Sequence, residues 1–232
     1  MIYVASDIHG FLGEYYDFID SSNFSDDDVF YIIGDVIDRG PDGVRILLDI
    51  MQRQNVILIK GNHEHMLLPT LKELAYSDPI SQNEIIMTDI AICPIGQRET
   101  LTEFCRLSRE EQYRVIDYLE SLKLYEIISV NDQKYLLVHA GLPDFEEMGE
   151  LEDMWDMDFF TEEELLFGQH WYEVKHFTDT IVIVGHQPTR FIDGAEPDKI
   201  YRCGDSINVD CGLGFGGQLG VLCLNTNEEL YF

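Results

Sequence analysis

The sequence predicts an α/β fold, and three observations predict it. Short apolar runs stop abruptly at polar residues, and helix-like segments alternate with those runs through the first third of the chain. The third is size: 232 residues with 45% hydrophobic and 12% aromatic content can bury a sizeable core, and suit one domain over residues 1–232 better than two small ones.

The first run, Ile2–Ala5, ends at Ser6-Asp7; the second, Val29–Ile33, at Gly34-Asp35; the third, Val56–Ile59, at Lys60-Gly61-Asn62. Such runs read as buried strands feeding loops. Residues 11–19 and 43–53 between them read as helices. Strand, helix, strand, helix, strand implies a mostly parallel sheet with functional loops at its carboxyl edge. Residues 66–124 are helical in pattern and form a helical insertion expected to pack over the site. Within it Ser108-Arg109-Glu110-Glu111 fits a capping box. Strands resume at Tyr125–Val130, 135–138, 181–184, 206–209 and 219–224. The glycine-rich residues 212–217 lie between the last two and lack the Lys-Ser/Thr pair of a phosphate loop, so they read as a turn.

The formal charge of -29, from 15 basic and 44 acidic residues, argues against attraction to nucleic acid or an anionic membrane. It also repels phosphorylated ligands, so a phosphate site here needs metal ions or a few arginines. The five cysteines, Cys93, Cys105, Cys203, Cys211 and Cys223, include no Cys-x-x-Cys pair. Reduced thiols are expected rather than a disulfide framework or a thiolate zinc site. Met1 leads directly into a strand without a signal-peptide pattern, and no apolar run approaches a membrane span, which makes the cytoplasm the expected compartment.

Each strand end delivers a polar cluster. The first three are Asp7-Ile8-His9-Gly10, Gly34-Asp35-Val36-Ile37-Asp38-Arg39-Gly40 and Gly61-Asn62-His63-Glu64; the later ones are His139-Ala140-Gly141-Leu142 and Gly185-His186-Gln187-Pro188. Any one alone reads equally well as a turn, an N-cap or a core histidine. Five in order, each flanked by glycine, point to one site. Carboxylate, imidazole and amide oxygen together suit Mn²⁺, Zn²⁺ or Fe²⁺, and Asp35 is the natural bridge between two ions. Without metal, Asp7, Asp35 and Asp38 would repel one another and take up protons.

These five motifs resemble those of the calcineurin-like metallophosphoesterases, in the phosphoprotein phosphatase branch that includes bacterial Ser/Thr phosphatases and symmetrical diadenosine tetraphosphatases. The resemblance covers nearly the whole chain. It implies a β-sandwich flanked by helices and two divalent metal ions, Mn²⁺ foremost, with Fe, Zn or Ni compatible. The first ion falls on Asp7, His9 and Asp35, the second on Asp35, Asn62, His139 and His186. His63 would protonate the leaving oxygen, Asp38 would orient its ring, and Arg39 would grip the phosphate. The implied activity is hydrolysis of phosphomonoesters by water activated between the ions, with phosphoserine or phosphothreonine in proteins as substrate. Two alternatives are a symmetrical dinucleoside tetraphosphate hydrolase and a metal-binding scaffold without turnover.

The sequence departs from the branch in one informative place. A second phosphate-gripping arginine is expected two residues after a tryptophan, but Trp155 is followed by Asp156 and Met157. Arg190 or Arg202 is the available substitute, and Gln218 stands where many relatives have another arginine. His65, His170 and His176 lie outside the motifs and read as surface or packing residues. The acidic clusters 26–28 and 162–164 read as solvated surface, with Thr161 starting a helix. Tyr15, Tyr16, Met66, Leu67, Leu71 and Leu74 read as core.

Overall fold

The computed structural model describes residues 1–21, 24–92, 97–142, 157 and 160–232. Trp155, Cys93 and most of the acidic stretch 144–164 lie outside the described residues.

The alternating strands build two five-stranded sheets, where the sequence pattern alone implies one. The first has the order β10-β9-β1-β2-β3, the second β4-β5-β6-β8-β7. In the first sheet, β1 (Ile2–Ala5), β2 (Val29–Ile33) and β3 (Val56–Ile59) run parallel, while β9 (Gly220–Cys223) and β10 (Glu229–Tyr231) add antiparallel strands on one side. In the second, β5 (Gln133–Val138), β6 (Thr180–Val184) and β8 (Ser206–Asn208) are parallel, and β4 (Tyr125–Val130) and β7 (Tyr201–Cys203) are antiparallel edges. β7 and β10 are three residues long, too short to leave a period-two pattern, and sequence reasoning misses both.

Side-chain alternation explains the layers. Val4, Ile33, Leu137 and Ile183 point between the sheets, where they pack with Val209 and Leu222. Tyr3, Ala5, Phe30 and Ile32 point the other way, onto the helices. Leu136, Val138, Val182 and Val184 face outward from the second sheet onto Leu142, Met157 and Leu165. Strands buried on both faces have no polar alternation, which is why they read as continuous apolar runs.

The helices α1 (Leu12–Ile19), α2 (Gly43–Ile50), α3 (Asn62–Tyr76), α4 (Pro79–Ile92), α5 (Gln97–Arg106) and α6 (Arg109–Ser121) follow β1 to β3 in chain order. Buried side chains of α1, α2, α3, α5 and α6 cover the outer face of the first sheet. The helical region starts at Asn62 rather than Met66, so His63 and Glu64 stand on the first turn of α3. Tyr15, Leu67, Leu71 and Leu74 are core, whereas Met66 is 40% exposed. The expected caps form. Ser108 Oγ accepts from Glu111 N at 3.3 Å while Ser108 N donates to Glu111 Oε2 at 2.8 Å, and Thr161 and Glu164 repeat the pattern at α7 (Glu162–Phe167). No helix among the described residues is long and apolar enough to cross a membrane.

On the second sheet, His170 supports the loop after β5. Its Nδ1 accepts from Leu142 N at 3.2 Å and its Nε2 donates to Ser206 Oγ at 2.8 Å. Gly141, at φ +134°, presses so close that a Cβ there would lie 2.4 Å from the His170 Cβ. Burial pushes the imidazole pKa down to about 3, so the folded protein holds it neutral. The unfolded chain protonates it near pH 6.5. Its contribution is complete above about pH 6.5 and is lost as pH falls, at about 1.4 kcal/mol per pH unit. Urea unfolding of metal-free protein at pH 5.5 and 7.5 checks this: between the two pH values wild type should lose about 1.4 kcal/mol more than His170→Gln. Parallel slopes would show that His170 is not held neutral.

Candidate active site

The site forms where β1, β2 and β3 of one sheet and β5 and β6 of the other send their carboxyl-end loops toward each other. Backbone bonds lace the first two loops together. Asp7 N donates to Gly34 O at 3.1 Å, His9 N to Asp35 O at 2.9 Å and Gly10 N to Val36 O at 2.7 Å. At the site two bonds tie loops of one sheet to the other: His139 Nδ1 donates to Ile33 O at 2.8 Å, and His186 N donates to Asp7 Oδ2 at 2.9 Å. Crossing of the loops leaves little room. At Gly34, with φ +81°, a Cβ would lie 2.5 Å from His139 Nδ1 and 2.6 Å from Gly61 Cα. Asp7, His9, Asp35, Asp38, Arg39 and His186 all adopt left-handed backbone, with φ from +49° to +70°. Each costs about 1 kcal/mol or more in a non-glycine residue, and such strain collects where side-chain aim matters more than local comfort.

Glu64 secures this arrangement, and sequence reasoning gives it no role. Its buried carboxylate accepts four backbone N–H groups: Oε2 from Asp35 at 2.8 Å and Gly61 at 3.0 Å, Oε1 from Val36 at 2.9 Å and Ile37 at 3.3 Å. A carboxylate three residues after a strand-ending glycine, on the first turn of a helix, is the signal that could have found it.

The expected ligand residues gather around Asp35. Its Oδ1 is 3.5 Å from His139 Nε2, and its Oδ2 is 3.8 Å from both His9 Nε2 and His63 Nε2. Asp7 Oδ1 is 3.7 Å from His9 Nε2. Donor atoms of His9, Asp35 and His63 lie within 4.8 Å of one another, as do those of Asp35, His139 and His186. Asp35 therefore presents one oxygen to each group. His9 and His139 use Nδ1 on carbonyl oxygens, Ile37 at 2.9 Å and Ile33 at 2.8 Å, which leaves Nε2 of each as a lone pair aimed inward.

The donor set fits divalent cations. Asn62 Oδ1 faces His139 Nε2 at 2.8 Å and His186 Nδ1 at 3.1 Å. The Asn62 oxygen and the His139 nitrogen are both acceptors, and a cation held among them removes their repulsion. In its absence the amide turned over would donate to both imidazoles and to Asp35. Electrostatics agree. Burial, with Asp7 and Glu64 nearby, pushes the Asp35 carboxyl well above the usual range despite the counteracting His63. Burial pulls the imidazoles of His9 to about 3 and of His186 to about 4, so both are neutral and able to ligate.

His63 differs from the other imidazoles. Its Nδ1 is 2.7 Å from Asp38 Oδ2, and its pKa is raised: burial lowers it, but Asp35 and the bond to Asp38 outweigh that. Asp38 is fully buried and is set by a backbone bond to Thr100 Oγ1 at 3.1 Å, the point at which α5 reaches the site. Arg39 has no carboxylate or carbonyl partner among the described residues; its guanidinium lies over the Phe215 ring, 4.2 Å from the centroid.

The substitutes for the absent arginine do not serve. Arg190 Nε and Nη2 grip Asp198 at 2.6 and 2.7 Å, and Nη1 donates to Phe215 O. Arg202 pairs with Glu229 at the sheet edge. Met157 is 5% exposed and packs in the apolar layer outside the second sheet. His65 is on the α3 surface with Glu162 at 3.2 Å, and His170 and His176 are buried packing residues, as their sequence context suggests. Asp210, 2% exposed, is a buried carboxylate close enough to Asp7, Asp35 and Arg39 to feel their charge; it carries no motif recognised in the sequence.

Two packed sheets whose loops focus carboxylates and imidazoles on a shared aspartate, with a histidine and an arginine alongside, form a metallophosphoesterase fold with a donor set suited to divalent cations. The family model for calcineurin-like phosphoesterases matches residues 1–213, and the chain belongs to that family. A symmetrical bis(5'-nucleosyl)-tetraphosphatase of Wigglesworthia glossinidia brevipalpis is 30% identical over 142 residues, 60% of this chain and 44% of that protein. One from Nitrosospira multiformis is 29% identical over 146 residues, 61% of this chain and 43% of that protein. The matches thus span less than half the length of these relatives. A crystal structure of a candidate diadenosine tetraphosphatase superposes with a TM-score of 0.67 at 17% identity, covering 100% of this chain and 92% of that one.

Two substitutions test this geometry. Glu64→Gln turns an NH₂ group toward two backbone donors, and should cost about 2–4 kcal/mol in urea unfolding and about 10–100-fold in metal affinity measured by calorimetry. Met157→Arg places a charge in an apolar layer: it should destabilise by about 3–5 kcal/mol without improving inhibition by inorganic phosphate. Tighter phosphate inhibition in a stable variant would contradict the placement of Met157.

Proposed function

We propose that this protein hydrolyses symmetrical dinucleoside tetraphosphates, adding water across the central phosphoanhydride to release two nucleoside diphosphates. The observation that carries the chemistry is Asp35, with one oxygen toward His139 and the other toward His9. The substrate follows from the relatives, which are named for tetraphosphate hydrolysis. They favour it over the phosphoprotein that motif resemblance suggests.

In this reading Asp7, His9 and Asp35 hold one divalent ion, and Asp35, Asn62, His139 and His186 the other. Bound ions supply Lewis acidity, which lowers the pKa of water and neutralises phosphoryl oxygens. The protein's own groups do the rest. Arg39, with no carboxylate partner among the described residues, neutralises charge on the phosphate chain as the bond breaks. His63, held by Asp38 at 2.7 Å, keeps Nδ1 occupied and turns Nε2 into the site, where its proton meets the departing phosphate oxygen. A scaffold without turnover has no use for that pair.

Protein reconstituted with Mn²⁺ should convert diadenosine tetraphosphate to ADP alone, with a higher kcat/KM than for a phosphopeptide or an aryl phosphate. His63→Asn should lower kcat by about 10²–10⁴-fold while elemental analysis still finds both metals. Asp35→Asn should lose metal as well as rate. A phosphopeptide preferred over the tetraphosphate would overturn the substrate assignment, and full metal occupancy with full rate in Asp35→Asn would overturn the site.

A further inference from the structure

Two exposed aromatic side chains beside the site have no part in that chemistry. Phe191 is 58% and Phe215 46% exposed, and their rings meet edge-on, centroids 5.4 Å apart at 86°. Exposed apolar surface at the rim of a functional site marks ligand contact. Both rings are anchored to the site's own framework. Gly214, just before Phe215, lies so near the candidate ligand His9 that a Cβ there would be 2.7 Å from His9 Cδ2. Phe191 closes the short helical turn Thr189–Phe191 just beyond His186, and Thr189 N donates to Asp210 O at 2.9 Å.

Arg190 locks the two aromatic-bearing turns together. Its Nη1 donates to Phe215 O at 2.7 Å while Asp198 holds the rest of the guanidinium at 2.6 and 2.7 Å. Gln218 Nε2 donates to Asp198 O at 2.6 Å, and Gly212 and Gly216, both left-handed, bracket the turn Leu213–Phe215. The platform is preorganised, so a ligand that uses it need not order it.

Moving outward from the metal residues, the surface passes from the Arg39 guanidinium to the Phe215 ring beneath it and then to Phe191. A cation followed by flat apolar rings complements an anionic phosphate chain that ends in a flat aromatic group. We propose that the Phe191–Phe215 pair is a nucleobase-stacking subsite, holding the base of one nucleoside diphosphate half while Arg39 holds its phosphates. The assignment rests on the tetraphosphate reading above. Base stacking on aromatic side chains tolerates any base, so the subsite selects nucleotides over base-free phosphates and discriminates weakly among adenine, guanine and pyrimidines.

The test compares Mn²⁺-loaded wild type, Phe191→Ala and Phe191→Trp. The ratio of kcat/KM for diadenosine tetraphosphate to that for inorganic tripolyphosphate should fall about tenfold in Phe191→Ala, mainly through KM, and recover in Phe191→Trp. ADP affinity measured by calorimetry should weaken by a similar factor and recover likewise. Circular dichroism checks that the alanine variant keeps its fold. An unchanged ratio with unchanged ADP affinity would overturn the subsite and leave tetraphosphate hydrolysis standing. If wild type fails to turn over the tetraphosphate, the substrate reading falls instead, and ADP binding alone decides the platform: weakening in Phe191→Ala upholds it, equal affinity overturns it.

Discussion

The arrangement depends on one buried carboxylate that ligates nothing. Glu64 accepts the N–H groups of Asp35, Val36, Ile37 and Gly61, and so binds the loop after β2 to the start of α3. Those N–H groups belong to no strand or helix ladder. Left unpaired in the interior, each would cost free energy comparable to a lost hydrogen bond. With them satisfied, Asp35 can hold a left-handed backbone conformation and turn its two oxygens toward two sets of imidazoles. His63, next to Glu64, then donates its backbone N–H to Asp35 Oδ1 at 3.0 Å. Asp35 and the His63 imidazole are thereby placed by the same turn of helix.

Charge sets the second constraint. A chain of formal charge -29 has little to attract a polyphosphate except what its site provides. Asp7 and Asp35 are buried together, with Asp210 close by, an arrangement that calls for cations. Arg39 stacks on Phe215 and has no ion pair among the described residues, whereas Arg190 and Arg202 are engaged by Asp198 and Glu229. Arginines are interchangeable in a count of charge but not in what they can reach. Arg190 holds loops together, whereas among the described residues the Arg39 guanidinium meets the Phe215 ring and no carboxylate.

Much of the fold was legible because its strands are buried on both faces. Ile2–Ala5, Val29–Ile33 and Val56–Ile59 read as strands and are strands with the same ends. That the polar clusters would gather in one place was legible because each follows such a run directly, and chain direction sends it to the carboxyl edge. Less visible was anything that depends on pairing. Nothing in the run 135–138 reveals that it belongs to a different sheet from Ile2–Ala5, because a buried strand has the same composition in either. Glu64 was overlooked for a related reason: a glutamate at a helix start is usually a solvated cap, and only the surrounding loops show that this one is buried.

By itself the sequence determined the α/β class, the order of the strands in the first third and the set of polar residues delivered at their ends, since period and spacing are local properties of a chain. The tertiary structure decided that two sheets share the work and that Asp35 faces both sets of imidazoles. It also decided that Met157 is buried where an arginine was expected, that Arg190 is held by Asp198 while Arg39 lies over Phe215, and that Phe191 stands against Phe215. All of these are contacts between residues far apart in sequence, and no local pattern encodes which distant partner a side chain will meet.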